Sequence, residues 1–208
     1  MLIAPPPVTP ELPARERILW TAARLFYADG VRATGIDRVI AEAGVTKVTF
    51  YRHFPSKNDL VLAFLADRHT RWMVWLDEAL TRHGDTVAAL VPALAEWLGD
   101  EGFRGCAFLN TTAELAGDVP EVAALTAEHK TAVALRLQRL QLAGDAPPAR
   151  TPTSEDAALL CTLMDGAIAR AVYEGHAAGA LAALAHGTRP LARRARHRGH
   201  LQSAVDFR

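Results

Sequence analysis

Cysteine is scarce in this 208-residue sequence, which contains only Cys106 and Cys161. Two distant cysteines in no zinc-type spacing exclude the framework of a disulfide-rich secreted domain and a cysteine-based zinc site. No apolar run approaches the roughly 20 residues that cross a bilayer. Residues 1–10 are rich in proline but lack the basic start of a signal peptide. We therefore expect a cytoplasmic protein with no membrane partner.

Strand-forming patterns are equally rare. Aromatic residues make up 7% of the chain, and no stretch alternates apolar and polar residues as a strand would. Half of the residues are hydrophobic, with alanine and leucine dominating, which favours helices. A chain of this length can also bury a sizeable core. The composition predicts an all-α fold.

Net charge is absent as well, since 23 basic residues balance 23 acidic ones. The charges are unevenly distributed, however. Residues 15–65 carry eight Lys or Arg against five Asp or Glu, residues 66–188 carry nine against sixteen, and the last twenty residues carry six against one. A basic N-terminal segment in front of an acidic body is the charge distribution that would orient a protein on a polyanion.

Patterns that carry catalysis are missing from the sequence. We find no nucleophile–base pair, no paired carboxylates, no phosphate-binding loop and no cluster of metal ligands. We therefore predict neither an enzyme nor a bound cofactor or metal. The alternative that stays open is a helical enzyme or small-molecule carrier that retains a vestigial DNA-binding segment.

The most informative stretch starts at Thr34 and predicts two short helices joined by a tight turn. Thr34, with Asp37 three residues later, has the pattern of a capping box that opens the first helix. Gly44 can adopt the left-handed conformation that ends this helix. Thr46 is placed to cap the second helix, which Pro55 ends. This layout predicts a helix-turn-helix, whose second helix enters the major groove of DNA.

The second helix and its successor complete the pattern. We expect Val48, Phe50 (or Tyr51) and Phe54 to form the inner side of the second helix. Ser56 and Asp59 then have the spacing of another capping box, which opens a third helix. The polar side of the second helix is thereby left to face DNA.

This region resembles the DNA-binding domain of the tetracycline-repressor (TetR) family of transcriptional regulators. The resemblance covers about a quarter of the chain and is continuous from Gly30 to Lys57. Two positions depart from the family pattern, Gly35 in place of Ser or Thr and Ile40 in place of Ala. The matching residues are Ile18, Leu19, Ala22, Ala23, Leu25, Phe26, Gly30, Thr34, residues 43–46, residues 50–54, Ser56 and Lys57.

The resemblance and the helix geometry together predict which residues bind DNA. Lys57 lies at a helix N-terminus, where the helix dipole already favours a phosphate. Tyr51 resembles the family tyrosine whose hydroxyl binds a phosphate. Lys47 is placed to contact guanine and Thr49 a thymine methyl group, and Arg52 either a phosphate or a neighbouring side chain. The predicted DNA-binding residues are Thr34, Thr46, Lys47, Thr49, Tyr51, Arg52, His53 and Lys57.

The predicted organisation has four segments. They are an extended Pro-rich arm without a fixed fold at 1–13, the helix-turn-helix domain at 14–65, a helical effector-binding and dimerisation domain at 66–188, and a basic tail at 189–208. In the tail we expect Gly187 and Pro190 to interrupt any helix before the Arg-rich residues 193–198. That basic run is either a solvated terminus or an auxiliary DNA-contacting tail.

The segment after residue 66 resembles the variable effector-binding half of the TetR family in its helix layout. Aromatic residues there could line an apolar cavity, with a few polar residues as anchors. The alternatives are that the aromatic residues form core and His129 lies at the solvent edge, that His129 and Glu114 bind a metal, or that Cys106 is a redox switch. The predicted ligand-binding residues are Trp72, Trp75, Cys106, Phe108, Asn110, Glu114, His129 and Met164.

A helix predicted over residues 154–175 carries a stripe of small and apolar side chains. Such a stripe lets a second helix approach closely, so we expect this helix to pair across a two-fold axis in a homodimer; the alternative is packing within one chain. The predicted dimer residues are Leu160, Met164, Ala167, Ile168 and Ala171. The sequence thus predicts a ligand-responsive repressor that binds a palindromic DNA operator as a homodimer and is released by a small-molecule effector.

Overall fold

The computed structural model describes residues 3–142 and 151–202, with side chains up to residue 191. This part of the chain contains nine α-helices and a short 3-10 turn, and no strand, so the predicted all-α fold is confirmed. None of its helices is long and apolar enough to pass through a bilayer. The helices are α1 Ala14–Asp29, α2 Ile36–Glu42, α3 Lys47–His53, α4 Lys57–Arg82, α5 Leu90–Leu98, α6 Ala107–Leu115, α7 Pro120–Leu137, α8 Ser154–Glu174 and α9 Ala178–Gln202.

The chain folds as two compact units. The first unit contains the residues through Met73 together with Cys106–His129, and the second contains Val74–Gly105 and the residues from Lys130 onward. The first unit therefore includes α1 to α3, the first part of α4, α6 and the start of α7. A segment more than 40 residues further along the chain thus packs with the helix-turn-helix.

Helix α1 is held by a continuous apolar stripe. Ile18, Ala22, Leu25 and Phe26 recur at helical spacing and are all buried, as the periodicity predicts. The helix ends at Gly30, whose φ of 89° lies in the region that other residues rarely adopt. This glycine turns the chain toward α2.

Helix α2 does not begin as we predicted. Gly35, not Thr34, occupies the N-cap position, and no side chain caps the helix. The Thr34 hydroxyl instead donates a hydrogen bond to the Gly30 carbonyl at 2.8 Å. The capping box expected from Thr34 and Asp37 is therefore wrong, because the hydroxyl already binds the preceding turn.

Other predicted caps are present. Gly44 has a φ of 62° after α2, and the Thr46 hydroxyl accepts a hydrogen bond from the Thr49 amide at the start of α3. The Ser56 hydroxyl accepts from the Asp59 amide at the start of α4. Local patterns of this kind are readable from sequence because donor and acceptor lie three residues apart.

The N-terminal arm has defined contacts with the first unit. We expected residues 1–13 to be extended without a fixed fold. Ile3 is buried, and its carbonyl accepts a hydrogen bond from Arg68 on α4 at 2.7 Å. The arm therefore lies against α4 rather than extending away from the domain.

Helix α9 continues through residues that we expected to break it. It runs from Ala178 to Gln202 with Pro190 inside, and Gly187 lies in the same helix. Ala180, Leu184 and Leu191 recur at helical spacing and are buried, and α9 packs on α8. This burial outweighs the hydrogen bond lost at the proline. The side chains of the basic run at 193–198 lie outside the described residues, so its predicted roles stay predictions.

Candidate nucleic-acid interface and effector-binding residues

Helix α3 is anchored by aromatic side chains on one face. Phe50 and Phe54 are buried and lie in contact, with ring centroids 6.3 Å apart. Phe50 also packs edge-to-face on Tyr51, with ring centroids 5.2 Å apart. Because a seven-residue helix is not stable alone, this packing fixes the direction in which its other face points.

The remaining surface of α3 is mixed polar and apolar. Lys47, Tyr51 and Arg52 are exposed, as predicted. Val48 is 79% exposed, although we predicted that it would pack inward. Helical geometry explains this error, because at about 100° per residue Val48 lies about 160° from Phe50 around the axis. Val48 is therefore a candidate for DNA contact that the sequence analysis missed.

Lys47 has a weak ionic partner. Its ammonium lies 3.9 Å from an Asp37 carboxylate oxygen, and both side chains are largely exposed. An exposed pair at this distance contributes little free energy. Lys47 can therefore exchange this contact for a nucleic-acid acceptor at small cost.

The hydroxyl groups of Thr46 and Thr49 bind each other at 2.9 Å. One of the two hydrogens lies in this bond, and the other remains able to donate outward. Thr46 also accepts from the Thr49 amide at 3.2 Å. The pair therefore stabilises the start of α3 and leaves one donor for a phosphate. His53, at the other end of α3, is half-buried.

Thr34 does not belong to this surface. Its side chain is fully buried, and its hydroxyl donates to the Gly30 carbonyl. A buried hydroxyl that is already donating cannot contact a phosphate. We therefore withdraw Thr34 from the DNA-binding residues.

Lys57 lies half-buried at the start of α4. Burial lowers the pKa of its ammonium, the nearby Glu114 carboxylate raises it, and the Arg32 guanidinium lowers it. An anion at this helix N-terminus would replace part of the lost solvation. This environment is compatible with the predicted phosphate contact.

Glu114 of α6 binds the turn between α1 and α2. Its two carboxylate oxygens accept the backbone N–H groups of Val31 at 3.2 Å and Arg32 at 2.6 Å. The Arg32 side chain returns a hydrogen bond to the Glu114 carbonyl at 2.7 Å and pairs with Asp118. Glu114 therefore fastens α6 to the helix-turn-helix through both carboxylate oxygens, and its role as an anchor for an effector stays a prediction.

This attachment brings the Glu114 carboxylate close to Gly30. A methyl group placed there would lie 3.0 Å from a Glu114 carboxylate oxygen. The positive φ is therefore what requires glycine here, and the Glu114 carboxylate would in addition have to shift by a few tenths of an ångström.

Three of the predicted effector-binding residues form a buried aromatic cluster in the first unit. The ring of His129 stacks on Phe108, with centroids 3.7 Å apart and planes 5° apart, and meets Trp72 edge-on at 5.3 Å. The Nδ1 atoms of His129 and His69 are 3.0 Å apart, so one ring donates to the other. His69 is a member of the cluster that the sequence analysis missed, because it lies 60 residues away in the chain.

The remaining predicted effector residues lie in different surroundings. Cys106 is buried in the first unit, whereas Asn110 is exposed. In the second unit Met164 is buried, and Trp75 packs against Trp97 with ring centroids 6.0 Å apart. Within the described residues no three His, Cys, Asp or Glu side chains are grouped as metal ligands would be. A ligand-binding role for these residues stays a prediction.

The thiol of the other cysteine, Cys161, is a weaker acid than an ordinary cysteine thiol. Burial of its thiol and the Asp165 carboxylate raise its pKa to about 11, and Lys130 acts in the opposite direction. Little thiolate forms at neutral pH under these conditions, so Cys161 is poorly reactive.

Comparison with known proteins identifies the family. Residues 18–64 match the family model described as bacterial regulatory proteins, tetR family. SCO4454, a TetR-family transcriptional regulator from Streptomyces coelicolor, is 33% identical and superposes with a TM-score of 0.72 over 88% of this chain and 95% of that chain. This chain belongs to the TetR family of transcriptional regulators.

Two further comparisons place this TetR-family chain among regulators. The reduced form of NemR from E. coli superposes with a TM-score of 0.69 at 22% identity, over 84% of this chain and 95% of that chain. The uncharacterized HTH-type transcriptional regulator YxaF from Bacillus subtilis is 34% identical over 79 residues, which are 37% of this chain and 41% of YxaF. The match thus spans less than half of the length of that curated relative.

The dimer residues that we predicted for this TetR-family protein are turned inward. Leu160, Met164, Ala167, Ile168 and Ala171 are all buried within the single chain. Helix α9 of the same chain packs on α8. Side chains covered by their own chain cannot form the surface of a dimer, so this prediction is wrong.

Proposed function

We propose that this TetR-family protein is a cytoplasmic, ligand-responsive transcriptional repressor that binds a palindromic operator as a homodimer. The observation that carries the proposal is the outward face of α3, where Lys47, Val48, Tyr51 and Arg52 are exposed on a helix whose opposite face is anchored by buried phenylalanines. A recognition helix needs this arrangement, because its outer side chains must reach base edges without moving the scaffold.

DNA binding is tested with the region upstream of the protein's own gene. Fluorescence anisotropy of a labelled duplex from this region, against a random duplex of equal length at the same salt concentration, measures specific and non-specific binding. We expect the upstream duplex to bind at least about 1000-fold more tightly, a ratio typical of specific regulators. Equal affinity for the two duplexes would contradict the proposal.

We propose that a different face of α8 forms the dimer. Leu159 and Tyr173 are exposed large apolar residues, and Gly166 lies between them with open space around it. Their seven-residue spacing places all three on one side of the helix. An apolar strip with a glycine at its centre allows the same helix of a second copy to approach closely.

The effector is proposed to bind at the cluster of Trp72, Phe108 and His129. Phe108 lies on α6, and Glu114 on the same helix holds the turn before α2. A molecule that separates the stacked rings of Phe108 and His129 would displace α6 and, through Glu114, the α1–α2 turn. Binding would then favour a conformation with lower DNA affinity.

The Glu114 attachment gives this step a specific test. Native mass spectrometry of the purified protein first identifies a co-purified small molecule, which is then added to the anisotropy assay. In the Glu114→Gln variant we expect that molecule to lose most of its effect on DNA affinity. The uncharged glutamine side chain holds the backbone N–H groups of Val31 and Arg32 more weakly than the carboxylate does. Glu121→Gln, an exposed position on α7, is the matched control and should respond as the original protein does.

The segment boundaries remain part of this proposal. DNA binding is assigned to residues 14–65, and effector binding and dimerisation to residues 66–188. A repressor also requires that loss of the protein raises transcription of its target. Reporter expression from the upstream region with and without the gene decides between repression and activation.

A further inference from the structure

A cavity of about 410 Å³ lies between the N-terminal arm, α1 and α4 of the first unit. Trp20, Tyr27 and Phe64 contribute apolar walls, and prolines 5–7 of the arm also line it. This volume falls within the range of sites for small molecules. None of the effector-binding residues discussed above lines this cavity.

Arg68 places a buried positive charge in the wall of this cavity. Its side chain is 5% exposed, and Nη1 donates to the Ile3 carbonyl at 2.7 Å. The guanidinium lies 4.3 Å from the centre of the Tyr27 ring. The other terminal nitrogen, Nη2, is buried and has no hydrogen-bond partner in the described part of the chain. Burial lowers the pKa of Arg68, but an arginine stays charged at any physiological pH.

The neighbouring carboxylates do not neutralise Arg68. Asp67 accepts two hydrogen bonds from Arg71, at 2.8 Å and 2.6 Å. Glu42 accepts from Arg24 and from Arg38 of α2. Three arginines and two carboxylates line the cavity, which leaves a net charge of +1 associated with Arg68.

Burying a charge costs free energy unless a partner of opposite charge pairs with it. A single excess positive charge calls for a monoanion rather than a dianion. The planar guanidinium suits a carboxylate group, and the aromatic walls suit an apolar body attached to it. The cavity thus combines one charged donor with a largely apolar lining, which is the usual composition of a small-molecule site.

We propose that this cavity binds a small monocarboxylate with an apolar body, with its carboxylate on Nη2 of Arg68 and its body against Trp20, Tyr27 and Phe64. This site is separate from the proposed effector cluster, and it does not depend on DNA binding. Its test therefore fails or succeeds independently of the proposed function.

Isothermal titration calorimetry of the full-length protein with 4-phenylbutyrate tests the proposal. The neutral 4-phenylbutyramide has the same apolar body without the charge, and acetate has the charge without the body. We expect 4-phenylbutyrate to bind at one site per chain, and the amide and acetate to bind at least about tenfold more weakly. Equal affinity for the acid and the amide, or no binding of the acid at millimolar concentration, would overturn the proposal.

Substitution of the arginine locates the site. Arg68→Met keeps much of the apolar volume and removes the charged donor, so we expect a loss of about tenfold to a hundredfold in affinity for 4-phenylbutyrate. Arg136→Met is the matched control, because Arg136 is also buried but is paired with Asp77 and Asp85 in the second unit. Binding by Arg68→Met at the original affinity would show that the carboxylate does not bind the Arg68 guanidinium, and it would overturn the proposal.

If Arg68→Met does not fold, the location is tested without changing the charge. Trp20 is half-buried on the cavity wall, so Trp20→Ala shortens that wall while leaving Arg68 in place. We expect this variant to bind 4-phenylbutyrate about tenfold more weakly and acetate unchanged. Unchanged affinity for 4-phenylbutyrate would refute the site.

Discussion

Helices α3 and α8 each bury one face and expose the other, but the exposed faces differ in chemistry. Around the buried Phe50, α3 exposes Lys47, Tyr51 and Arg52, together with one valine. The exposed side of α8 instead carries Leu159 and Tyr173 on either side of an open glycine. Burial on one side is what both helices need to fold. The outer side is free to vary, and it is there that a polar surface suits DNA and an apolar one suits a second protein chain.

A substitution on the inner face of α3 should have the largest effect, and that effect is on the stability of the fold. Phe50→Ala should lower the free energy of unfolding by about 3–5 kcal/mol, because it leaves a cavity at a fully buried position. Chemical denaturation measures this change. Tyr51→Ala, next to it but 41% exposed, should cost less than about 1.5 kcal/mol. Similar losses for the two variants would mean that α3 has no distinct inner face.

A charge introduced on the exposed face of α8 tests whether that face forms the homodimer. Leu159→Asp should weaken the homodimer at least about 30-fold, since the substitution occurs twice in a two-fold interface and buries an unpaired carboxylate. Sedimentation equilibrium measures the dissociation constant. Leu135→Asp alters an exposed leucine on α7 and serves as the matched control. Equal weakening by the two variants would place the interface elsewhere.

Substitution of Lys47 and of Lys57 tests which of the two lysines contacts bases and which contacts a phosphate. Lys57→Ala should weaken binding to all duplexes by about 1 kcal/mol, because it removes a phosphate contact. The slope of log affinity against log salt concentration should become shallower by about one. Lys47→Ala should weaken binding to the operator by about 1–2 kcal/mol and random DNA much less. Titration of both variants against operator and random duplex at several salt concentrations measures these effects. The same behaviour in both variants would contradict the division of roles.

The smallest expected effect concerns Val48. Val48→Ala removes two methyl groups from an exposed position, so stability should change by less than about 0.5 kcal/mol. Operator affinity should fall by about 0.5–1 kcal/mol if these methyl groups contact a thymine methyl. Operators in which one thymine at a time is replaced by uracil, which lacks the methyl group, locate the contact. At the contacted position the replacement should lower the affinity of the original protein but not that of Val48→Ala. No change at any position would remove Val48 from the interface.

Much of the fold could be predicted from short stretches of sequence. The Ser56 hydroxyl accepts the predicted hydrogen bond from the Asp59 amide at the start of α4, and Gly44 adopts the predicted left-handed turn. The side chains of Phe50 and Phe54 are buried as their four-residue spacing indicates. In each case the decisive partner lies within a few residues, so local spacing carries the information.

The candidate site was predicted less completely, because a short motif does not show which partner a polar group chooses. Thr34 had two possible acceptors for its hydroxyl, and the choice of the Gly30 carbonyl removed it from the surface. Glu114 had the composition of a ligand anchor, but it binds amides 82 and 83 residues earlier in the chain. The stripe on α8 had the composition of an interface and is covered by its own chain.

The sequence by itself determined that this chain is helical, where its recognition helix lies and which family it resembles, because helix caps and apolar periodicity act over a few residues. Only the tertiary structure decided which faces are left exposed and which distant groups meet. The Arg68 guanidinium reaches the Ile3 carbonyl across 65 residues, a pairing that no local pattern encodes. Packing of the whole chain sets such contacts, since burial and long-range hydrogen bonds depend on every neighbouring segment at once.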